Sequence, residues 1–159
     1  MNFYHASPKP LSKKELICGQ FLYTSNNKEF VEKEFLEINN YKYLYKIELY
    51  KTKQKTFSLL KTKCFKIFLE KSIDIYGQNY NKYLNFCIAD GEIIWTEDEF
   101  IKGICQEFGF NMAIFNENGL ELVNDDWCNY IKNKYSEPVY SLAILDPKII
   151  KKIIPIYID

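Results

Sequence analysis

Alternation and helical spacing divide the chain into an ordered series of short elements. Residues 2–6 (Asn-Phe-Tyr-His-Ala) predict a strand, ended by Ser7-Pro8-Lys9-Pro10, because proline cannot donate to a ladder. Residues 19–25 predict a second strand leading into a helix. Asn26 with Glu29 reads as its capping box, and Val31, Phe35 and Ile38 follow at helical spacing. In 42–50, Tyr43, Tyr45, Ile47 and Leu49 share one face while Lys46 and Glu48 take the other, as in a half-buried strand. A short strand at 55–60 and a helix through Cys64, Phe65, Phe68 and Leu69 come next.

Tyr80, Tyr83, Leu84, Cys87 and Ile88 form a further helical stripe. Thr96-Glu97-Asp98-Glu99 opens another helix, with Phe100, Ile101, Ile104, Cys105 and Phe108 inward and Gly109 as its stop. The three acids there suit the positive end of a helix and are read as structural. A strand at 110–115, a hairpin turn at 116–119 and a strand at 120–123 follow. Residues 138–145 predict a late apolar strand, Asp146-Pro147 a turn, and 152–158 an edge strand broken by Pro155. Strands and helices in this order give an α+β domain spanning 1–159, not a doubly wound parallel one.

Composition narrows the chemistry. With 47% hydrophobic and 17% aromatic residues, the chain can bury a core. Lys+Arg and Asp+Glu are both 21, a balance that disfavours general nucleic-acid binding but leaves room for a local basic patch. All the basic residues are lysines, so no guanidinium fork is available for a phosphate or carboxylate. Five cysteines without a CxxC pair and a single histidine give no metal motif, and buried, inert thiols in a reducing cytosol are expected. No apolar run is long enough to span a bilayer, and a cytoplasmic protein is expected. GxGxxG and P-loop patterns are absent.

Three patterns remain: Tyr4-His5-Ala6-Ser7, then Gly19-x-Phe21-Leu22-Tyr23-Thr24-Ser25 feeding a helix, then Gly109-Phe110-Asn111 with a closing strand before Asp146-Pro147-x-Ile149. In this order they resemble the His-first branch of the ADP-ribosyltransferase superfamily, over residues 3 to 150. That resemblance implies two small, mainly antiparallel sheets around an NAD cleft with flanking helices. It implies that His5 bonds a ribose hydroxyl, that the Ala6 backbone pairs with the nicotinamide carboxamide, and that Tyr23 stacks on the nicotinamide ring. Ser7, Thr24 and Ser25 would add hydroxyls nearby. Glycosidic cleavage passes through an oxocarbenium-like state, which a carboxylate stabilises.

The family's closing-strand Glu lies five residues before the Asp of the turn, and here that position is Ser141. Glu137 keeps the strand parity but lies roughly 13 Å away along an extended chain. The opening His5-x-Ser7-Pro8 and the segment Asp90-x-Glu92-Ile93-x-Trp95 are similar to phage anti-CRISPR ADP-ribosyltransferases, which makes Asp90 the preferred acid. This resemblance implies a protein target, a CRISPR-Cas effector subunit, in the host cytoplasm. Two alternatives stand beside it: a catalytically inactive module of the same fold that inhibits by binding alone, and a toxin-type transferase.

Overall fold

The computed structural model describes residues 2–58, 61–76, 98–116 and 126–157. Its strands are β1 (Phe3–Ser7), β2 (Leu22–Ser25), β3 (Tyr43–Leu49), β4 (Thr56–Ser58), β5 (Met112–Asn116), β6 (Tyr140–Ile144) and β7 (Ile150–Ile156). The α-helices are α1 (Lys28–Val31), continued by a π-helix at Glu32–Glu37, then α2 (Thr62–Tyr76), α3 (Asp98–Phe108) and α4 (Asp126–Lys134). The helical stripe at 80–88, Asp90, and the hairpin turn and strand at 117–123 lie outside the described residues. No described helix is long and apolar enough to cross a membrane.

The strands form one seven-stranded sheet in the order β4-β5-β6-β2-β1-β3-β7, antiparallel except for β4–β5. The α+β expectation holds, but the expected pair of separate sheets gives way to a single hydrogen-bonded one. It is unevenly knit. Tyr4↔Ser25 is the one registered pair between β1 and β2, whereas β1–β3 run in register from Phe3↔Ile47 to Ser7↔Tyr43.

The sheet also bends there. Ile144 ends β6 and Ile150 begins β7, although four strand spacings separate these strands in the order. A flat sheet would hold them about 19 Å apart. The link between them is short and partly a 3-10 turn, Pro147–Ile149, which advances only about 2 Å per residue. Ile144, Ile150, Leu22 and Pro147 instead line one small pocket. The inner face thus closes on itself. Phe3, Tyr45 and Ile47 from one half share a core with Met112, Leu142 and Ile144 from the other, capped by Leu11 and Leu16.

The alternate residues face outward, to the helices. Ala113 and Ala143, paired across β5 and β6, make a low platform on which Ile101, Ile104 and Cys105 of α3 and Cys64, Ile67 and Phe68 of α2 pack. Ala6 and Leu44 carry Phe30 and Val31 of α1 with Ile131 of α4 and Tyr135 just after it. β3 is therefore covered on both faces at Leu44, Tyr45 and Ile47, not half-buried as its alternation suggests. Gly109 stops α3 as expected, at φ +75°, with Phe110 N–H donating to the Cys105 carbonyl.

Local chemistry moves two other expectations. Asn27, not Asn26, caps α1, its Oδ1 accepting Phe30 N–H at 3.0 Å. Asn26 is used between strands instead, donating to Pro138 O and accepting Tyr140 N–H. In the π-helix the wider turn slips the register past position 34. Phe35 and Ile38 become exposed, and Glu34 is turned inward.

β7 is an edge strand, as expected, but spans Ile150–Ile156. Pro155 stands opposite Tyr45 and offers no donor to a further strand. Pro155→Val should therefore raise concentration-dependent self-association relative to the parent chain in sedimentation velocity. Identical profiles would show that the edge is guarded by Lys151 and Lys152 alone.

Candidate functional site

His5 lies at the bend. Its Nδ1 is 2.6 Å from the Tyr23 carbonyl oxygen. A carbonyl can only accept, so Nδ1 carries the proton and donates. Burial holds the ring's pKa below its usual value, against the opposing pull of the Tyr23 hydrogen bond. A neutral ring with Nδ1 protonated has Nε2 as a bare acceptor. The bond fixes both tautomer and orientation, and it is a second tie across a junction that has one registered pair.

Register decides what shares that space. Phe3, His5 and Ser7 face inward, as do their β3 partners Ile47, Tyr45 and Tyr43. Tyr4 and Ala6 face the helices. On β2, Tyr23 packs outward with Phe57, Phe68 and Ala143, and Phe21 meets its ring edge-on at 5.8 Å. The expectation that His5 and Tyr23 line one pocket is therefore corrected: their side chains leave the sheet on opposite faces, and only the Tyr23 backbone meets the imidazole. Sequence patterning gave each strand its own alternation; the relative phase of two strands exists only once they pair.

The expected hydroxyls are already engaged. Thr24 Oγ1 donates to Leu142 O at 3.1 Å and Ser25 Oγ donates to Tyr140 O at 2.8 Å, both stitching β2 to β6. Ser7 Oγ accepts Lys9 N–H at the start of the proline loop. Ser141 is buried opposite Ser25, on the helix side. Glu137 is exposed. It precedes Pro138, whose carbonyl is held by Asn26, so it sits at the end of β2 where Ser25 pairs with Tyr4. Asp90 lies outside the described residues.

Two groups of residues were not singled out by sequence. The first is the aromatic pair on His5's own side. Tyr45 stands directly across from His5, its Oη accepting Leu11 N–H at 2.8 Å. Tyr43 stacks with it, centroids 6.5 Å apart and planes 17° apart, and is 37% exposed. Their shared face was legible; its alignment with His5 was not. The second is a carboxylate network behind the sheet. Glu34 accepts from Tyr135 Oη at 2.5 Å, Lys134 Nζ at 2.7 Å and Tyr130 Oη at 3.1 Å. Burial pushes the Glu34 carboxyl upward, but the bonds from Lys134, Tyr135 and Tyr130 outweigh it and leave it below the usual range. The carboxylate in turn raises the pKa of Lys134, while burial, first, and Glu34, second, raise that of Tyr135.

The described cysteines divide. Cys64 and Cys105 are in the core, where burial and then the neighbouring Cys64 push the Cys105 thiol up to about 12, an unreactive value. Cys18 is exposed, contrary to the expectation for a core thiol. The Leu22–Ile150 pocket measures about 100 Å³, room for a small ring and not for a dinucleotide. Comparison with protein-family models, with curated proteins and with solved structures finds no match to this chain.

Proposed function

We propose that the chain is a mono-ADP-ribosyltransferase that moves ADP-ribose from NAD to a protein target, of the kind that disables a host defence complex. The observation that supports this reading is His5: neutral, pinned through Nδ1 at the seam of the bent sheet, with Nε2 left to accept from a ribose hydroxyl. The aromatic face open to a nicotinamide ring on that side is Tyr43, backed by the buried Tyr45, and we give it the role first given to Tyr23. In the reaction the ribose–nicotinamide C–N bond breaks with its electron pair leaving on nicotinamide. A nucleophile on the target then bonds to the ribose carbon and gives up its proton. A carboxylate, Glu137 or Asp90, supports the positive charge between these events.

NAD should raise the melting temperature of the protein, because a ligand of the folded state alone adds about 2.7 kcal/mol at a hundred times its Kd. His5→Phe keeps a flat aromatic ring, lacks both the Nε2 acceptor and the Nδ1 donor, and should remove the shift. The shift should persist from pH 8 down to pH 6.5 and fade below it as Nε2 takes a proton. A second reading, a module that inhibits by contact alone, is favoured by one feature: Ser141 stands at the family's Glu position, with Thr24 and Ser25 committed to the sheet. No thermal shift at saturating NAD, in a protein that still blocks its target, would decide for it.

A further inference from the structure

A chain with no net charge carries a concentrated positive face. Three segments distant in sequence are tied together by backbone and amide bonds. Tyr50 N–H donates to Ile149 O at 2.8 Å. Asn111 Nδ2 donates to Lys53 O at 2.7 Å, its Oδ1 accepts Lys55 N–H at 2.8 Å, and its own carbonyl accepts Leu145 and Asp146 N–H. Lys13 Nζ donates to Ile150 O at 2.5 Å. These bonds gather Lys13, Lys14, Lys51, Lys53, Lys55, Lys148 and Lys151 on one rim, all exposed. The acids of the same segments are Glu15 and Asp146.

Among the described residues, the ion pairs use Lys28, Lys33, Lys46, Lys71, Lys102 and Lys134, none of them on this rim. The rim's lysines keep their charge for a partner. Of the exposed large hydrophobics, 50–55 and 148–151 supply Tyr50 alone, and Lys53 Nζ lies 4.3 Å over its ring. Beside the 13–14 segment Ile17 is also exposed, against Pro147 and Ile150. Protein interfaces have a broad apolar centre; this face has seven lysines around one aromatic ring and one aliphatic side chain, closer to the make-up of a surface that follows a phosphate backbone.

We infer that the rim formed by Lys13–Lys14, Lys51–Lys55 and Lys148–Lys151 docks the phosphate backbone of a nucleic acid without reading its sequence. The inference does not depend on the transferase reading. Fluorescence anisotropy of a labelled 20-nucleotide oligo(dT) with the full chain tests it. Binding should be measurable at low salt and fall with ionic strength. The triple variant Lys51→Gln, Lys53→Gln, Lys148→Gln should bind at least tenfold more weakly and lower the slope of log K against log[salt] by about 2, at roughly 0.7 per contact. Lys42→Gln, Lys66→Gln, Lys132→Gln removes the same charge elsewhere and should bind as the parent does. Equal loss in both triples would mean that charge acts without a site. Poly-L-glutamate competing as well as the oligonucleotide would assign the face to an acidic protein. Either result, or no binding at 50 mM salt, overturns the inference. The NAD-induced thermal shift should be the same in both triples, which separates this outcome from the fate of the transferase reading.

Discussion

Glu34→Ala is expected to lower the unfolding free energy by about 2–3 kcal/mol, most of it through one phenol. Tyr135 is 4% exposed and its hydroxyl donates to Glu34. Without the carboxylate that donor stays buried with its acceptor removed. Tyr130 and Lys134 reach solvent, so water replaces what they lose, and they add little. Glu34 is cut off from water by the groups that bond it rather than by depth, so truncation opens the site instead of leaving a large void. Glu34→Gln keeps the shape and one acceptor oxygen and should cost clearly less. The check is the urea midpoint at constant m. Equal losses in the two variants would mean that packing, not the bonds, is what Glu34 provides.

The same network sets an acid limit. The Glu34 carboxyl is lower in the folded state than in the unfolded chain, so its contribution is complete above the ordinary Glu range near 4.3 and disappears as pH falls through the folded value. His5 acts in a higher window. Its folded pKa lies below 6.5, so on acidification the unfolded chain takes up the proton first, and stability begins to fall below about pH 6.5.

The other large effect belongs to chemistry. On the transferase proposal, replacing the acid that would support the oxocarbenium-like state should lower turnover on the order of a hundredfold or more with NAD binding nearly intact. Glu137→Gln and Asp90→Asn, each assayed by mass spectrometry of the modified target and by the NAD-induced thermal shift, separate the two candidates. A loss of both signals in one variant would indicate a binding role. Full turnover in both would remove carboxylate support at either position from the mechanism.

Much of the architecture was legible in the chain. The opening strand, the strand at 43–49, the inward Ile101, Ile104 and Cys105 of α3 and its glycine stop are local patterns, and local sterics and solvation set them; Phe108, expected inward with that stripe, is exposed at the helix end. Edge placement of the last strand followed from Pro155, for the same reason. What was not legible depends on partners far along the chain. Asn26 and Asn27 are equally able to cap a helix, and the choice falls to Asn27 because Pro138 and Tyr140 claim the other. The π-helix turns a carboxylate inward because two tyrosines and a lysine from around α4 wait there, a hundred residues away in sequence. The site suffered most. His5 and Tyr23 were both singled out from a motif. Strand phase then set Tyr23 against the helices and Tyr45 beside the imidazole.

The junction between β1 and β2 holds by a single rung and one imidazole, where its neighbours are fully laced. What the backbone leaves loose, the interior takes up: Phe3, Tyr45 and Ile47 on one side of the seam pack with Met112, Leu142 and Ile144 on the other. Interiors at that density respond to a single methylene, so a change of volume in either half has to be answered in the opposite one.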